Sequence, residues 1–539
     1  MSSSLAAALL DSLPRLLQAE AAGPVAGLVT ALAEALERGD LGLDLQADPP
    51  EDGALEALER CGWLVQADAL EQRPEAPIVH DGSWLRWRRW HEHLQHCLEQ
   101  LVGLGLTPVQ PAPAADQLSA AQKKAAQAGL DPHQCAAVKA LLERRLVLLT
   151  GGPGTGKTST VVQMLAAALR LNPALRIQLS APTGKASARL VEAVQTGSRS
   201  LEPELRAQLE QIPSGTLHRL LEAQGDSRFR RNRRQPLDLD LLVVDELSMV
   251  DLPLMAALLE AMPPQGQLLL VGDPDQLPPV GPGAVLEELC RPERLQALDK
   301  ASVELRTTYR NDGAIADLAA QLRQGERGLD TAWLRTLEPG ANVTWLQCPR
   351  QRLPPAVLEG LGQQQHTLKQ LASRLDWCAD QPKPEQAQAL LHQLEALIAL
   401  SPIRQGAWGV EAIHRALLGD LLKRPLQHWP IGTPVLNRQN RPEQGLANGD
   451  IGVVVRQGAE PRVLLPANRV LHPAQLSGAE PAFALTVHKA QGSQYKRVLL
   501  ILPPLRHHDP RLVYTGLTRA QQELLLITPL QESQPVDPT

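Results

Sequence analysis

Aromatic residues are scarce in this sequence, and its cysteines form no metal-binding or disulfide motif. Aromatic side chains make up 3% of the 539 residues, so aliphatic side chains must fill most of any core. The six cysteines are widely spaced, with no C-x-x-C pair among Cys61, Cys97, Cys135, Cys290, Cys348 and Cys378. This pattern excludes a disulfide scaffold, a zinc ribbon and an iron–sulfur cluster, and it is typical of a reducing compartment.

Long apolar runs and a large net charge are also missing. No stretch of about 18 apolar residues occurs, so we expect no transmembrane span. The N-terminal segment MSSSLAAALLDSLPRLL has no basic start and contains Asp11, which favours an amphipathic helix over a signal peptide. The net charge of −6 excludes a chain that is basic overall but is compatible with a local basic groove. We therefore expect a soluble, cytoplasmic protein.

The length and the order of the short apolar runs predict several domains. At roughly 150 residues per domain, the chain corresponds to about three or four domains. Aliphatic runs alternate with helical stretches from about residue 131, which predicts an α/β fold with parallel sheets covered on both faces. The predicted regions are a helical N-terminal domain at 1–108, a linker at 109–130, an α/β unit at 131–300, and a second at 301–539 with a small β insert at about 430–475.

A glycine-rich segment follows the first aliphatic run. It fits the pattern G-x-x-x-x-G-K-[ST] and consists of Gly151, Gly152, Pro153, Gly154, Thr155, Gly156, Lys157 and Thr158. Glycines let the backbone N–H groups surround phosphates at the positive end of the following helix. We expect Lys157 to contact the β- and γ-phosphates and the Thr158 hydroxyl to bind Mg²⁺, so ATP and Mg²⁺ are the predicted cofactors.

Two later segments complete a predicted hydrolytic site. The run LLVVDE ends in Asp245, a candidate Mg²⁺ ligand, and Glu246, a candidate general base for the attacking water. The segment VGDPDQLPP follows a third aliphatic run and places the Gln276 amide where it can sense the γ-phosphate. These acids and this amide, in this order after the glycine-rich loop, predict ATP hydrolysis.

The ordered motifs together resemble those of superfamily 1 DNA helicases, and within them the RecD family, the alpha subunits of RecBCD-type exodeoxyribonuclease V. The resemblance covers about residues 131–526 and rests on GGPGTGKTST, APTGKASARL, GTLHRLL, LLVVDELSMVD, VGDPDQLPPVGPGAVL, LSPIRQGAWGV, LANGDIG, TVHKAQGSQY and LVYTGLTRAQQ. It implies two RecA-like P-loop cores and an SH3-like identity for the β insert. By resemblance, translocation runs 5′ to 3′ on single-stranded DNA.

The resemblance also implies roles for single residues. Gln134 resembles the glutamine that contacts the adenine edge, and Tyr309 resembles the aromatic residue that stacks on adenine. Arg310 and Arg519 resemble the two arginines that approach the γ-phosphate from the second core. Two such cations stabilise transition-state charge and couple hydrolysis to closure of the cores.

DNA contacts are expected from loops at the strand ends. Hydroxyls, lysines and backbone N–H groups bind phosphates without recognising sequence. The candidates are Pro182, Thr183, Gly184, Lys185, Thr216 and His218 in the first core and Thr486, His488 and Lys489 in the second. Residues 224–238 also carry five arginines and Phe229, and RecD-like enzymes have a strand-separating hairpin here. Phe229 and Arg230 are its candidate DNA contacts, and a solvated basic loop is the alternative.

The resemblance implies an ATP-dependent DNA helicase that acts in double-strand-break repair by homologous recombination. Its expected partners are DNA, as a single-stranded tail and a duplex end, and RecB-like and RecC-like subunits in a heterotrimer. Nuclease activity would belong to a partner, and the N-terminal domain would dock onto the RecC-like subunit. A stand-alone RecD-like helicase and an ATP-switched DNA-binding subunit remain alternatives. A stand-alone RecD-like helicase usually has a longer N-terminal region. An ATP-switched binding subunit would not need the hydrolytic residues Glu246, Gln276, Arg310 and Arg519.

Overall fold

The computed structural model describes residues 22–37, 39–225, 228–309, 313–324, 329, 331–337, 342–439, 446–504 and 508–530. Arg310, one of the two predicted second-core arginines, lies outside these residues. Within the described part of the chain, no helix has the length and apolar character that crossing a membrane requires.

The N-terminal region is mixed rather than mostly helical, which corrects the prediction for 1–108. Its sheet has the strand order β1-β4-β3-β2. The runs that form it are only three or four residues long, and β-branched and aromatic side chains in such short runs favour strands over helices. The elements are α1 (Ala22–Glu37), β1 (Gly42–Asp44), α2 (Ala54–Arg60), β2 (Leu64–Gln66), β3 (Ile78–Asp81) and β4 (Trp84–Trp87).

Two helices join this region to the next. Helix α3 (Arg88–Leu106) buries Leu94, Leu98 and Leu101 in one cluster with strand residues of the first parallel sheet. The predicted boundary at 108 therefore falls after a helix that packs against that sheet. Helix α4 (Ala115–Gln127) occupies most of the predicted linker, and its Ala125 is also buried in the adjoining core. The linker prediction failed because Pro- and Ala-rich composition does not reveal tertiary packing.

The first α/β unit contains a six-stranded sheet, all of whose paired strands are parallel, in the order β10-β5-β9-β8-β6-β7. The strands are β5 (Leu146–Gly151), β6 (Ile177–Ala181), β7 (Ser214–Thr216), β8 (Leu241–Val244), β9 (Gln267–Gly272) and β10 (Ser302–Leu305). The helices are α5 (Pro132–Glu143), α6 (Lys157–Leu171), α7 (Gly184–Gly197), α8 (Pro203–Glu210), α9 (Leu217–Leu220), α10 (Leu252–Ala261), α11 (Val285–Leu289) and α12 (Pro292–Leu298). Separate apolar clusters form on the two faces, which confirms the doubly covered parallel sheet.

The second α/β unit contains a five-stranded parallel sheet in the order β11-β22-β21-β14-β20. Its strands are β11 (Val343–Cys348), β14 (Leu397–Ser401), β20 (Ala484–Thr486), β21 (Tyr495–Ile501) and β22 (Ala520–Pro529). The helices are α13 (Ala314–Gln324), α14 (Thr331–Leu334), α15 (Pro355–Ser373), α16 (Pro384–Leu394), α17 (Val410–Leu418) and α18 (Pro510–Leu517). A two-stranded pairing joins β12 (Trp377–Cys378) to β13 (Gln381–Pro382).

An antiparallel sheet lies in the region of the predicted β insert. Its five strands are ordered β18-β17-β16-β15-β19. They are β15 (Pro434–Leu436), β16 (Ile451–Gln457), β17 (Glu460–Leu465), β18 (Arg469–Leu471) and β19 (Glu480–Pro481). The chain leaves the second parallel sheet after β14 and returns to it at β20, directly beside β14.

Candidate active site and nucleic-acid interface

The glycine-rich loop forms a tight turn between β5 and α6. Gly156 has φ +79°, a left-handed conformation that favours glycine, and a Cβ there would lie 2.7 Å from Gln134 Nε2 and displace that side chain. The Lys157 ammonium donates to the carbonyl oxygens of Gly151 at 2.5 Å and Gly152 at 3.0 Å. A cation thus sits inside a loop at a helix N-terminus, an arrangement that suits a polyphosphate.

Gln134 and Tyr309 lie together beside this loop. The Gln134 side chain is buried, and its Nε2 donates to the Thr155 carbonyl at 3.4 Å. Tyr309 donates its backbone N–H to the Gly154 carbonyl at 2.8 Å and its hydroxyl to Asp131 Oδ2 at 2.7 Å. Tyr309 remains 52% exposed. An amide and an open aromatic face therefore adjoin the loop.

Asp245 and Glu246 follow the carboxyl end of β8. The Glu246 N–H donates to Asp245 Oδ1 at 2.9 Å, and Glu246 adopts a left-handed conformation with φ +53°. Burial and the neighbouring Glu246 carboxylate raise the pKa of Asp245, whereas the Lys157 charge opposes that shift. Because β5, β9 and β8 are neighbouring parallel strands, the glycine-rich loop after β5 and the two acids after β8 lie at the same edge of the sheet.

Gln276 occupies a buried position in the segment after β9. Its Nε2 donates to Asp273 Oδ2 at 3.1 Å, while its Oε1 is buried without a hydrogen-bond partner. Tyr514 of the second unit donates its hydroxyl to the same Asp273 oxygen at 3.0 Å. Asp273 and Tyr514 were missed by sequence reasoning, although both lie inside quoted motifs. A buried amide oxygen of this kind is a position where a ligand or water is expected.

Arg519 is held within the second unit by its own hydrogen bonds. Its guanidinium is buried and donates to the carbonyl oxygens of Thr515 at 3.1 Å and Ser493 at 3.2 Å. Burial lowers the pKa of Arg519, and the Glu246 carboxylate is the strongest influence in the opposite direction. Among the residues that the structure describes, Arg519 forms no ion pair.

The segment after β9 contacts the second unit repeatedly. The Leu277 N–H donates to Thr515 Oγ1 at 2.8 Å, and Gln491 Nε2 donates to the Leu277 carbonyl at 3.0 Å. Arg323 of α13 pairs with Asp275 at 2.6 Å. The segment that carries Gln276 therefore touches the second unit at several points.

The predicted DNA contacts of the first unit cluster after β6 and β7. Thr183 and Thr216 cap the helices that follow, and their hydroxyls accept from the backbone N–H groups of Ala186 and Arg219, each at 3.2 Å. Pro182 precedes the first cap. Lys185 Nζ lies 5.1 Å from the centre of the Tyr495 ring, a cation–π contact with the second unit. His218 is exposed beyond the second cap.

The predicted contacts of the second unit follow the end of β20. The Lys489 N–H donates to Thr486 Oγ1 at 3.4 Å, and both His488 and Lys489 are exposed. A Cβ on Gly492 would lie 3.2 Å from the Ala186 Cβ, which places this segment against the start of α7. The candidate contacts of the two units therefore share one surface.

The packing of Phe229 disfavours the strand-separating role predicted for it, which no observation on DNA tests. Its ring is half-buried against the core of the first unit, with its centre 6.1 Å from that of His218. Among the described residues of this segment, isolated bridges pair Ala223 with Phe229 and Asn232 with Gln235, and the Gln224 N–H donates to the Arg228 carbonyl at 2.7 Å. Arg230 is exposed and pairs with Glu222 at 3.2 Å. A ring packed inward offers little free surface to a base pair, and sequence reasoning could not detect this because the packing is tertiary.

Two protein-family models and several known proteins are similar to this chain. The AAA domain family matches residues 134–282, and the UvrD-like helicase C-terminal domain family matches residues 481–527. The RecBCD enzyme subunit RecD of Mycolicibacterium smegmatis is 37% identical over 486 residues, which cover 86% of this chain and 82% of that protein. The Haemophilus influenzae protein of the same name is 31% identical, with coverages of 72% and 68%.

A longer relative and a solved structure are also similar. The ATP-dependent RecD2 DNA helicase of Deinococcus radiodurans is 33% identical over 87% of this chain but only 58% of its own length. The crystal structure of Bacteroides Pif1 bound to single-stranded DNA covers 74% of this chain and 92% of its own, at 16% identity and a TM-score of 0.40. That TM-score is too low to assign the fold.

Proposed function

The chain belongs to the RecD family of RecBCD enzyme subunits, and from that premise we propose that it is the ATP-dependent 5′-to-3′ DNA helicase subunit of such an enzyme. Its role is double-strand-break repair by homologous recombination, with RecB-like and RecC-like subunits as partners. The observation that carries the proposal is the position of Gln276. This buried amide hydrogen-bonds Asp273, which Tyr514 of the second unit also contacts, and a Cβ on Gly152 of the phosphate loop would lie 3.2 Å from the Tyr514 hydroxyl.

The residues at the loop fit Mg²⁺ and ATP. The cradle of residues 151–158 would hold the phosphates, with Thr158 and Asp245 as oxygen ligands of the metal. Bound Mg²⁺–ATP supplies the phosphoryl group whose transfer to water releases the free energy for movement. Gln134 and Tyr309 would hold the adenine, since both touch the loop and the Tyr309 ring is open.

The remaining polar residues would perform the hydrolysis and couple it to movement. Glu246 would accept a proton from the attacking water, and the unpaired Gln276 Oε1 would help to orient that water. Arg519 would stabilise the negative charge that develops on the phosphoryl oxygens, assisted by Arg310. Because Gln276 and Arg519 belong to opposite units, the nucleotide state would determine how closely the two units approach each other.

The shared surface of the two units would bind single-stranded DNA. It carries Thr183 and Lys185 from the first unit and Thr486, His488 and Lys489 from the second. Hydroxyls, cations and helix-start N–H groups suit a phosphate backbone without sequence preference. Pro182, Thr216 and His218 extend the surface along the first unit. Arg230 remains a candidate contact at the duplex fork, because its side chain is exposed.

We propose the following domain assignment. The two parallel units are RecA-like cores, and the antiparallel sheet is an SH3-like insert. The N-terminal partner-docking unit ends near residue 87, because α3 packs with the first core. The identity of 37% to the mycobacterial RecBCD subunit, against 33% to the RecD2 helicase, favours the complex subunit over the stand-alone enzyme. We further place the protein in the cytoplasm, where its DNA substrate lies.

The decisive experiment compares unwinding of duplexes that carry only a 5′ or only a 3′ single-stranded tail. The wild-type chain should separate the 5′-tailed duplex alone, Lys157→Gln should abolish separation, and the surface variant Lys139→Gln should leave it intact. Unwinding from the 3′ tail would contradict the polarity. ATP turnover without unwinding in both the isolated chain and the complete complex would instead support the ATP-switched binding subunit.

A second experiment addresses the partners. A chain lacking residues 1–87 keeps α3 and should retain ATP turnover while failing to copurify with the RecB-like and RecC-like subunits. Normal assembly of the truncated chain would contradict docking through the N-terminal unit.

A further inference from the structure

Three cations converge on one carboxylate at the base of the antiparallel insert. Glu480 Oε1 accepts from Arg404 Nη2 at 2.5 Å and from Arg438 Nη1 at 2.8 Å, and Glu480 Oε2 accepts from Lys489 Nζ at 3.1 Å. The three cations come from different places: the segment after β14, the turn after β15, and the segment after β20. We call Arg404, Arg438, Lys489 and Glu480 the Glu480 cluster.

The outward side of the Glu480 cluster is positive. The Glu480 side chain is 22% exposed, whereas those of Arg404 and Arg438 are 46% and 47% exposed. Arg404 also pairs with Glu411 at 2.9 Å, so three cations are balanced by two carboxylates. Among the described residues, Arg438 and Lys489 each donate one hydrogen bond within the cluster, whereas a guanidinium has five N–H groups and an ammonium has three. The cluster can therefore bind an anion without breaking its own ion pairs.

The cluster borders a cavity and the proposed DNA surface. Arg404, Glu480, Thr486 and Lys489 line a cavity of about 210 Å³. Asn437, next to Arg438, donates its side-chain amide to the Ala447 carbonyl at 2.6 Å. A Cβ on Gly184 would lie 2.8 Å from the Ala447 Cβ. The turn that carries Arg438 thus reaches the start of α7, and the cluster continues the surface formed by Thr183, Lys185 and Thr486.

From this juxtaposition we infer that Arg404 and Arg438 bind the phosphate backbone of single-stranded DNA together with Lys489. Glu480 holds the three side chains in one group, which limits the rotamer entropy that long cationic side chains lose on binding. The antiparallel insert would in this way contribute directly to the surface that binds single-stranded DNA. The site would bridge both parallel units. The inference rests on the proposed function, because it adds residues to the same DNA surface.

The test measures the affinity of the full chain for labelled oligo(dT) at a series of NaCl concentrations. Each phosphate contact contributes a slope of about −0.7 to the dependence of log K on log[salt] for single strands. Arg404→Gln and Arg438→Gln should each make the slope shallower by about 0.7 and weaken binding several-fold at low salt. The charge-conserving variants Arg404→Lys and Arg438→Lys should keep most of the slope.

The matched control is Arg456→Gln, because Arg456 is an exposed arginine on β16 of the same insert but outside the cluster. It should bind with the wild-type slope. Wild-type slopes in both Arg404→Gln and Arg438→Gln, with normal binding by the unaltered chain, would overturn this inference alone. Failure of the unaltered chain to bind oligo(dT) would overturn the proposed function and the inference with it.

Discussion

Arg511 of the second parallel unit and Glu287 of the first form a bidentate ion pair. Arg511 Nη1 lies 2.7 Å from Glu287 Oε2, and Arg511 Nη2 lies 2.9 Å from Glu287 Oε1. The neighbouring Glu288 pairs with the buried Arg86 of the N-terminal unit at 2.7 Å. Because both glutamates lie on the five-residue helix α11, just after the segment that holds Gln276, this helix connects three parts of the chain.

The first prediction concerns this ion pair. Arg511→Ala should lower DNA-stimulated ATP turnover by about fivefold or less, because a pair with both partners partly exposed contributes up to about 1 kcal/mol. Steady-state turnover with saturating DNA measures the effect. In a double-mutant cycle, Glu287→Gln should add little to Arg511→Ala. Fully additive losses would show that the two side chains do not act together.

The second prediction concerns the open aromatic face beside the phosphate loop. Tyr309→Ala should raise the KM for ATP by about tenfold, since stacking of a base on an aromatic side chain contributes on the order of 1–3 kcal/mol. Tyr309→Phe keeps the ring and removes only the hydrogen bond to Asp131, so it should change KM far less. An equal rise of the KM for ATP in the two variants would assign the effect to the hydroxyl instead.

The third prediction concerns Phe229. Because its ring packs against the first core, Phe229→Ala should lower the free energy of unfolding by about 1–2 kcal/mol, less than for a fully buried Phe. Unwinding per folded molecule should stay near the wild-type value. The exposed Arg233→Ala variant serves as the control for stability. Loss of unwinding with unchanged stability and ATP turnover would restore a strand-separating role for this ring.

The fourth prediction concerns a buried histidine in the second unit. His414 Nε2 accepts from the Ala484 N–H at 3.2 Å, and burial lowers the pKa of His414 to about 4. The unfolded chain protonates this residue near pH 6.5, so its stabilising contribution is present above that pH and is lost as the pH falls towards 4. The loss at pH 5 should be about 2 kcal/mol relative to pH 8.

Urea unfolding at the two pH values measures this loss. His414→Gln retains a hydrogen-bond acceptor but does not titrate, so the pH dependence should decrease by about that amount. An identical pH dependence in the wild type and the variant would show that other groups dominate.

The phosphate loop, the acids after β8 and the alternating α/β order were predictable because they depend on local features. Continuous aliphatic runs form buried strands, and glycines permit the turn at residues 151–156. The N-terminal sheet was missed because its strands are only three or four residues long, too short for a clear periodic pattern. The packing of α3 and of Phe229 was missed because each buries its apolar side chains against segments that are distant in the sequence.

The sequence by itself determined which side chains are available for chemistry: a lysine after a glycine-rich turn, paired acids after an aliphatic strand, and a glutamine and an arginine in later motifs. Only the tertiary structure decided which of them meet. Tyr514 and Asp273 are 241 positions apart, and Arg511 and Glu287 are 224 apart. The three cations around Glu480 likewise come from separate segments. No local pattern specifies such pairs, because their geometry follows from how two sheets and an insert pack together.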